Sequence, residues 1–273
     1  MAKAAIIGRR GFSIRRQPGF ATVAAMCFFL LYLPITVLAV YSFNSGVSIA
    51  IWEGFSFRWY AQAWRNDLVQ EVSIRSLIIA SFASAIATTV ATLAALATTR
   101  TQPFRGQTAV YAMINQPLMV PEIVTGVSLL VFFAMIKVAT GYYGLGYLIA
   151  AHTAFCIPFA YLPIRARLEN MDLSLEIAAA DLYATPWMTF RRVTLPLMLP
   201  GIMAGAMLSF VISLDDVVIT ELVKSAGQDT LPTYMLGQLR RVITPEMNAI
   251  STVFLAISVT VVTIFFFFSH KRP

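Results

Sequence analysis

A chain of 273 residues with 58% hydrophobic and only 12% charged residues carries about half the charge of a soluble domain, which runs at about 25%. Its mean hydropathy is +0.74. These values exclude a disordered chain, a collagen and a small disulfide scaffold, argue against a soluble enzyme, and leave an all-α polytopic membrane protein. The formal net charge is +7, which in a membrane protein is explained first by Lys and Arg kept on the cytoplasmic side.

About 20 apolar residues cross a bilayer core. That rule gives six spans, at about 20–43, 73–98, 109–136, 145–163, 198–222 and 249–268, in one transmembrane domain covering 1–273. The first follows Lys3, Arg9, Arg10, Arg15 and Arg16. It is too long for a signal h-region of about 7–15 residues, so it reads as a retained span. The third contains Pro117 and Pro121 and should be kinked or broken, and the fourth contains Pro158 and ends at Pro163. Residues 44–72 are rich in aromatics (Trp52, Phe55, Phe57, Trp59, Tyr60, Trp64) and read as a short amphipathic segment at the outer interface. Residues 223–248 carry Gly227, Pro232, Gly237 and Pro245 and read as a structured or re-entrant loop. Cys27 and Cys156 lie far apart in apolar stretches and read as small buried hydrophobes.

Basic residues set the orientation. With the N-terminus inside, Lys3, Arg9, Arg10, Arg15, Arg16, Arg100, Arg105, Arg165, Arg167, Arg191, Arg192, Lys271 and Arg272 are cytoplasmic. Arg58, Arg65, Arg75, Lys137, Lys224, Arg240 and Arg241 are outside. The first set is larger, so both termini are expected in the cytoplasm.

The loop 164–197 then lies inside, and a bare turn would be far shorter. Ser174 can cap a helix starting at Leu175, and Ala178, Ala179 and Ala180 favour helix with little bulk. Thr185-Pro186 marks a break, with Pro186 suited to the first turn of a second helix, and Leu195-Pro196 should stop that helix. Two short helices at an angle result. They serve either as a plain connection or as a docking element for a soluble partner.

This loop resembles the signature of the membrane subunits of bacterial ABC importers, E-A-A-x3-G-x9-I-x-L-P. Aligned on Leu195-Pro196, Ala178 and Ala179 match the two alanines and Val193 stands for the Ile. Ile177 occupies the Glu position, with Glu176 one residue earlier, and Tyr183 occupies the Gly position. A Cβ resists the sharp turn that Gly permits, so the usual turn geometry is not assured at Tyr183. The segments YSFN (41–44), FSFRWY (55–60), PLMVPEIVTGVSLL (117–130) and SLDDVVIT (213–220) are similar to those of the spermidine/putrescine permease subunits. The resemblance implies a type I importer permease fold in the bacterial inner membrane. It implies a homologous second permease subunit, a periplasmic substrate-binding protein, and a cytoplasmic ATPase dimer that holds ATP and Mg while this chain binds no cofactor. It also implies that Glu176, Ile177, Ala178, Ala179, Asp181, Tyr183, Leu195 and Pro196 form the ATPase contact.

No Lys or Arg lies deep in any span, and the intramembrane charge is acidic: Glu122 in the third, and Asp215, Asp216 and Glu221 in the fifth. Each costs about 2.5–3.5 kcal/mol to insert and so needs a reason. Counted from their span starts, Glu122 and Asp215 differ in depth by only about 5 Å at ~1.5 Å per residue. They can therefore line one cavity that attracts a cationic, elongated substrate such as a polyamine, with aromatic rings adding cation–π contacts. Each acid also has a plainer use. One of Asp215 and Asp216 can cap a helix break, Glu122 can serve the backbone freed by Pro121, Glu221 can sit at the interface, and His152 suits an interhelical hydrogen bond. No phosphate-binding G-x-x-x-x-G-K-[ST], H-E-x-x-H or G-x-S-x-G occurs, nor a basic soluble module for nucleic acid. The expected activity is polyamine import by alternating access. The rivals are a permease for another solute, a stand-alone secondary transporter or channel, and an intramembrane enzyme.

Overall fold

The computed structural model describes residues 19–48, 51–102, 104–240 and 244–270. Lys3, Arg9, Arg10, Arg15, Arg16, Arg241, Lys271 and Arg272, which weigh in the orientation argument, lie outside the described residues. The described chain is helical. In order come α1 (Phe20–Tyr41), α2 (Arg58–Arg65), α3 (Asp67–Thr99), α4 (Gln107–Met119), α5 (Glu122–Thr140) and α6 (Gly146–Glu169). They are followed by α7 (Ser174–Asp181), α8 (Pro186–Thr189), a π-helical turn (Phe190–Thr194), α9 (Leu195–Asp215), α10 (Val218–Val223), α11 (Leu231–Leu239) and α12 (Pro245–His270). Six segments are long and apolar enough to span a membrane: α1, α3, α5, α6, the run Pro186–Asp215, and the Pro245–Phe267 part of α12.

The core is the packing of α3, α6 and α9. Lipid tails are as apolar as leucine, so helices in a bilayer associate through close contact of small residues. The buried face of α3 is Ser76, Ala80, Ala83, Ser84, Ala87, Thr88, Ala91 and Ala95. On α9 the facing stripe is Gly201, Gly205, Ser209 and Ser213. A Cβ built on Gly205 would stand 2.7 Å from the carbonyl oxygen of Ala160 on α6. Two bonds finish the seam, one from α3 to α9 and one from α9 to α6: Ser84 Oγ donates to Ala206 O at 2.8 Å, and Ser209 Oγ to Cys156 O at 3.4 Å. By contrast, α1 has no buried residue and its apolar side chains face outward all round.

Several connections differ from their sequence reading. The third span is not one helix. It divides at Val120-Pro121, where both residues are extended, and Glu122 begins α5 instead of lying mid-helix. The fifth divides too, with α9 ending at Asp215 and α10 restarting at Val218. Leu195-Pro196 does not stop the second loop helix. The run from Pro186 continues into α9 through the π turn, which re-registers the hydrogen bonds around a residue without an N–H. Ser174 is not the cap of α7, because it already lies within the helix and Asp172 Oδ1 accepts its N–H at 2.9 Å. That bond holds the exposed Asp172 carboxyl below its ordinary range. Beyond α1, Trp59 Nε1 of the amphipathic α2 donates to Asn44 O at 2.7 Å and pins the segment.

The turn after α7 keeps its usual form despite Tyr183. Tyr183 takes φ 60, the left-handed region. Ala184 N donates to Ala179 O at 3.0 Å and Tyr183 N to Ala180 O at 2.9 Å, the paired bonds of a Schellman motif. A residue with a Cβ sits there at a cost of about 1 kcal/mol. Its ring is 96% exposed and contributes no packing within the chain. Tyr183→Gly is therefore expected to raise the melting temperature of the purified protein, by up to about 1 kcal/mol of stability, and Tyr183→Val to lower it. Equal melting of all three would show the turn to be unstrained. In the core, Gly205→Val should cost about 1–3 kcal/mol by forcing α9 off α6, read as lost thermal stability in detergent.

Candidate functional site

The two helix breaks meet. Asp216, extended at φ −64 and ψ 133, is buried and acts as the cap of α10. Its carboxylate accepts from Ile219 N at 3.3 Å and Thr220 N at 2.8 Å, which have no carbonyl partner once the ladder is cut. Thr220 Oγ1 donates to Asp216 Oδ2 at 2.8 Å and lies 2.9 Å from His152 Nε2. His152 Nδ1 lies 2.8 Å from Ser213 Oγ on α9. Every group is used if Nε2 carries the proton, Thr220 passes its own to Asp216, and Ser213 donates to Nδ1. His152 thus joins α6 to both sides of the break. Asp215 and Asp216 are not successive residues of one helix, because α9 ends between them.

Asp215, by contrast, is exposed. With Asp216 and the half-buried Glu122 it lines a cavity of about 420 Å³, walled by Phe155 and Phe159 of α6 and by Val211 and Ile212 of α9. The two rings stand 5.5 Å apart, centroid to centroid. Three carboxyl groups beside two aromatic rings can hold a cation and the methylenes next to it. Gly126 of α5 allows α10 this close, since a Cβ there would meet Leu222 Cδ1 at 2.6 Å.

Glu221 is not part of this cavity. It is exposed and pairs with Lys224, whose Nζ lies 2.6 Å from Glu221 Oε2 and 2.6 Å from Asp229 Oδ1. Partial burial works against the ammonium charge, but the two carboxylates outweigh it and hold Lys224 above the ordinary lysine pKa. Arg75 Nη1 donates to Asp229 O at 2.8 Å, and Lys137 Nζ to Val223 O at 3.1 Å. This charged rim closes the bundle end opposite to residues 174–196.

In the loop, Ile177, Ala178, Asp181 and Tyr183 are exposed and Ala179 is half-buried. With Leu182 and Trp187 they form an open, largely apolar face. Glu176 is turned inward. Its Oε1 accepts from Arg100 Nε at 3.1 Å and Thr194 Oγ1 at 2.9 Å. Leu195 packs against the core while Pro196 stays exposed in the first turn of α9. Sequence reasoning missed Ser213, Thr220 and the two Phe residues of the cavity, and it counted Arg100 only as a topology marker. For Arg100 a signal existed, since it ends a span and has an unpaired acid, Glu176, in the next loop on the same side.

The comparisons agree with this architecture. Residues 87–272 match the family model described as binding-protein-dependent transport system inner membrane component. The putrescine transport system permease protein PotI of Escherichia coli (strain K12) is 37% identical over 243 residues, covering 88% of this chain and 86% of that one. The spermidine/putrescine transport system permease protein PotC of Haemophilus influenzae is 38% identical, covering 86% and 90%. Among solved structures, a bacterial ABC transporter involved in import of the acidic polysaccharide alginate superposes with a TM-score of 0.72 at 17% identity, over 93% of this chain and 94% of that one. The MetNI methionine ABC transporter superposes at 0.63 and 18%, over 78% and 98%. With two thirds of its length matched by the family model and these relatives aligned over most of the rest, the chain belongs to the family of binding-protein-dependent transport system inner membrane components.

Proposed function

We infer that this chain is the membrane-spanning subunit of an ATP-driven importer for polyamines. The observation that carries the reading is the acidic, ring-walled cavity at the meeting of two helix breaks. A polyamine alternates ammonium groups with methylenes, which suits Glu122 and Asp215 beside Phe155 and Phe159. Transporters commonly build their binding sites from discontinuous helices of this kind. The names of the relatives, permeases of putrescine and spermidine transport systems, support the same class of cargo.

In this reading the loop end of the bundle faces the cytoplasm, with both termini. The exposed face of residues 174–196 receives a separate ATPase dimer carrying ATP and Mg. A homologous second permease completes the pathway, and a periplasmic binding protein delivers substrate to the end bearing Glu221, Lys224 and Asp229. Closure of the ATPase shifts the balance between inward-open and outward-open states. The roles of the acids divide. Asp215 and Glu122 meet the cation, Asp216 holds the break open from below, and Glu221 belongs to the rim.

The test is uptake of labelled putrescine by the full complex in proteoliposomes. Asp215→Asn and Glu122→Gln should each raise KM about tenfold, near 1.4 kcal/mol of lost ground-state binding. Glu221→Gln should leave uptake close to that of the parent. Normal putrescine uptake by the double variant Glu122→Gln, Asp215→Asn would sink the pathway role.

A further inference from the structure

Glu176 stands one residue before the acidic position of the importer signature, and its side chain points into the bundle, away from the open face of the loop. Its Oε1 takes two donors, Arg100 Nε at 3.1 Å and Thr194 Oγ1 at 2.9 Å. Arg100 is the residue that ends α3, and its Nη2 also donates to Leu168 O, near the end of α6, at 3.2 Å. Thr194 is buried in the π turn that leads into α9. One carboxylate and one guanidinium thereby join α7 to the ends of all three core helices. Their side chains retain only 17% and 21% exposure, so the pair is screened less than a surface ion pair. The nearby Arg165–Glu169 pair differs in kind. It is more open and spans four residues of one helix, and although Arg165 lies over the Tyr111 ring of α4, the pair touches neither α7 nor the π turn.

We propose that Glu176 and Arg100 are the internal linkage that carries movement of α7 into the core helices, making Glu176 a positioning residue for coupling and not a contact to the partner. The proposal rests on the reading of residues 174–196 as the ATPase contact. Ile177, Leu182 and Tyr183 remain outward for that contact, while Glu176 faces inward on the same helix. A push on α7 must either stretch the two bonds of Glu176 or move Arg100 and Thr194 with it. Thr194 adjoins α9, and the far end of α9 is Asp215, in the acidic cavity. A π turn next to Thr194 is a place where a helix can change register at low cost.

The experiment uses the full complex, with its second permease and ATPase, in proteoliposomes. It measures ATP hydrolysed per putrescine imported, together with recovery of the ATPase when this chain is purified. Glu176→Ala and Arg100→Ala should retain the ATPase and keep hydrolysing, while the ATP spent per putrescine rises about fivefold or more, at the low end of typical coupling energies. Glu176→Gln, which still accepts from Thr194, should fall between them and the parent. The double variant Arg100→Ala, Glu176→Ala should be no worse than either single one, as expected of two groups acting as a unit. Glu169→Gln serves as the control and should not change the ratio. An unchanged ratio in Glu176→Ala overturns the proposal. So does a parallel fall in hydrolysis and uptake, which marks a merely structural pair. Loss of the ATPase from purified Glu176→Gln also overturns it, because Glu176 would then be a partner contact. Loss of the ATPase from a Tyr183→Asp variant tests the docking reading separately. If Tyr183→Asp retains the ATPase, the docking reading fails, and the linkage with it.

Discussion

In a bilayer no water is at hand to satisfy a freed backbone N–H or C=O, and this constraint governs everything of interest in the molecule. A membrane helix can be broken only where side chains take over the lost bonds. The chain breaks two helices at one place and meets the requirement there. Asp216 takes over two N–H groups of α10, and Thr220, Ser213 and His152 hold the cap in position. The cavity at Asp215 and Glu122 exists because that repair leaves an opening beside it. The proposed binding site and the backbone repair are therefore parts of one structure, with the two neighbouring aspartates on either side of the break.

Alignment of the breaks depends on the core. Alanine and serine along α3 and glycine along α9 let three backbones approach closely, and at Gly205 the approach leaves no room for a methyl group. Packing of this kind has little slack, so displacing one helix displaces its neighbours. Stiffness is what allows contacts at one end of the bundle to bear on a cavity built from the other parts of the same helices. The periphery, α1 and α12, carries apolar side chains outward and takes little part in this geometry.

The fold class was legible because composition and span length answer to the bilayer alone. Six apolar runs separated by charged loops admit few alternatives. The prolines announced trouble in the third span, and the break falls beside Pro121. In the fifth span no proline or glycine marks the break. Its sign was the adjacent pair Asp215-Asp216, one of which can cap a helix break, and Asp216 does so. At Tyr183 the sequence left the turn geometry open, because a Cβ resists it. The paired Schellman bonds outweigh that strain of about 1 kcal/mol. Leu195-Pro196 did mislead, since a π turn can carry a helix past a proline that would otherwise end it.

Scarcity of charge ties these points together. A chain with so few charged residues cannot hide an ion pair in the crowd, and most of its buried or half-buried charges have a definite partner. Asp216 answers to helix ends, Lys224 to two carboxylates, and Glu176 to Arg100 and Thr194. Asp215 and Glu122 are the exceptions: they line the cavity beside two rings, and neither has an ion-pair partner among the described residues. In a fold where the other charges near the breaks are matched, these two mark where an external cation can complete the pairing. The case for a cationic cargo therefore rests on Asp215 and Glu122 together. It owes more to how thoroughly the remaining charges are matched than to the acidity of the segment as a whole.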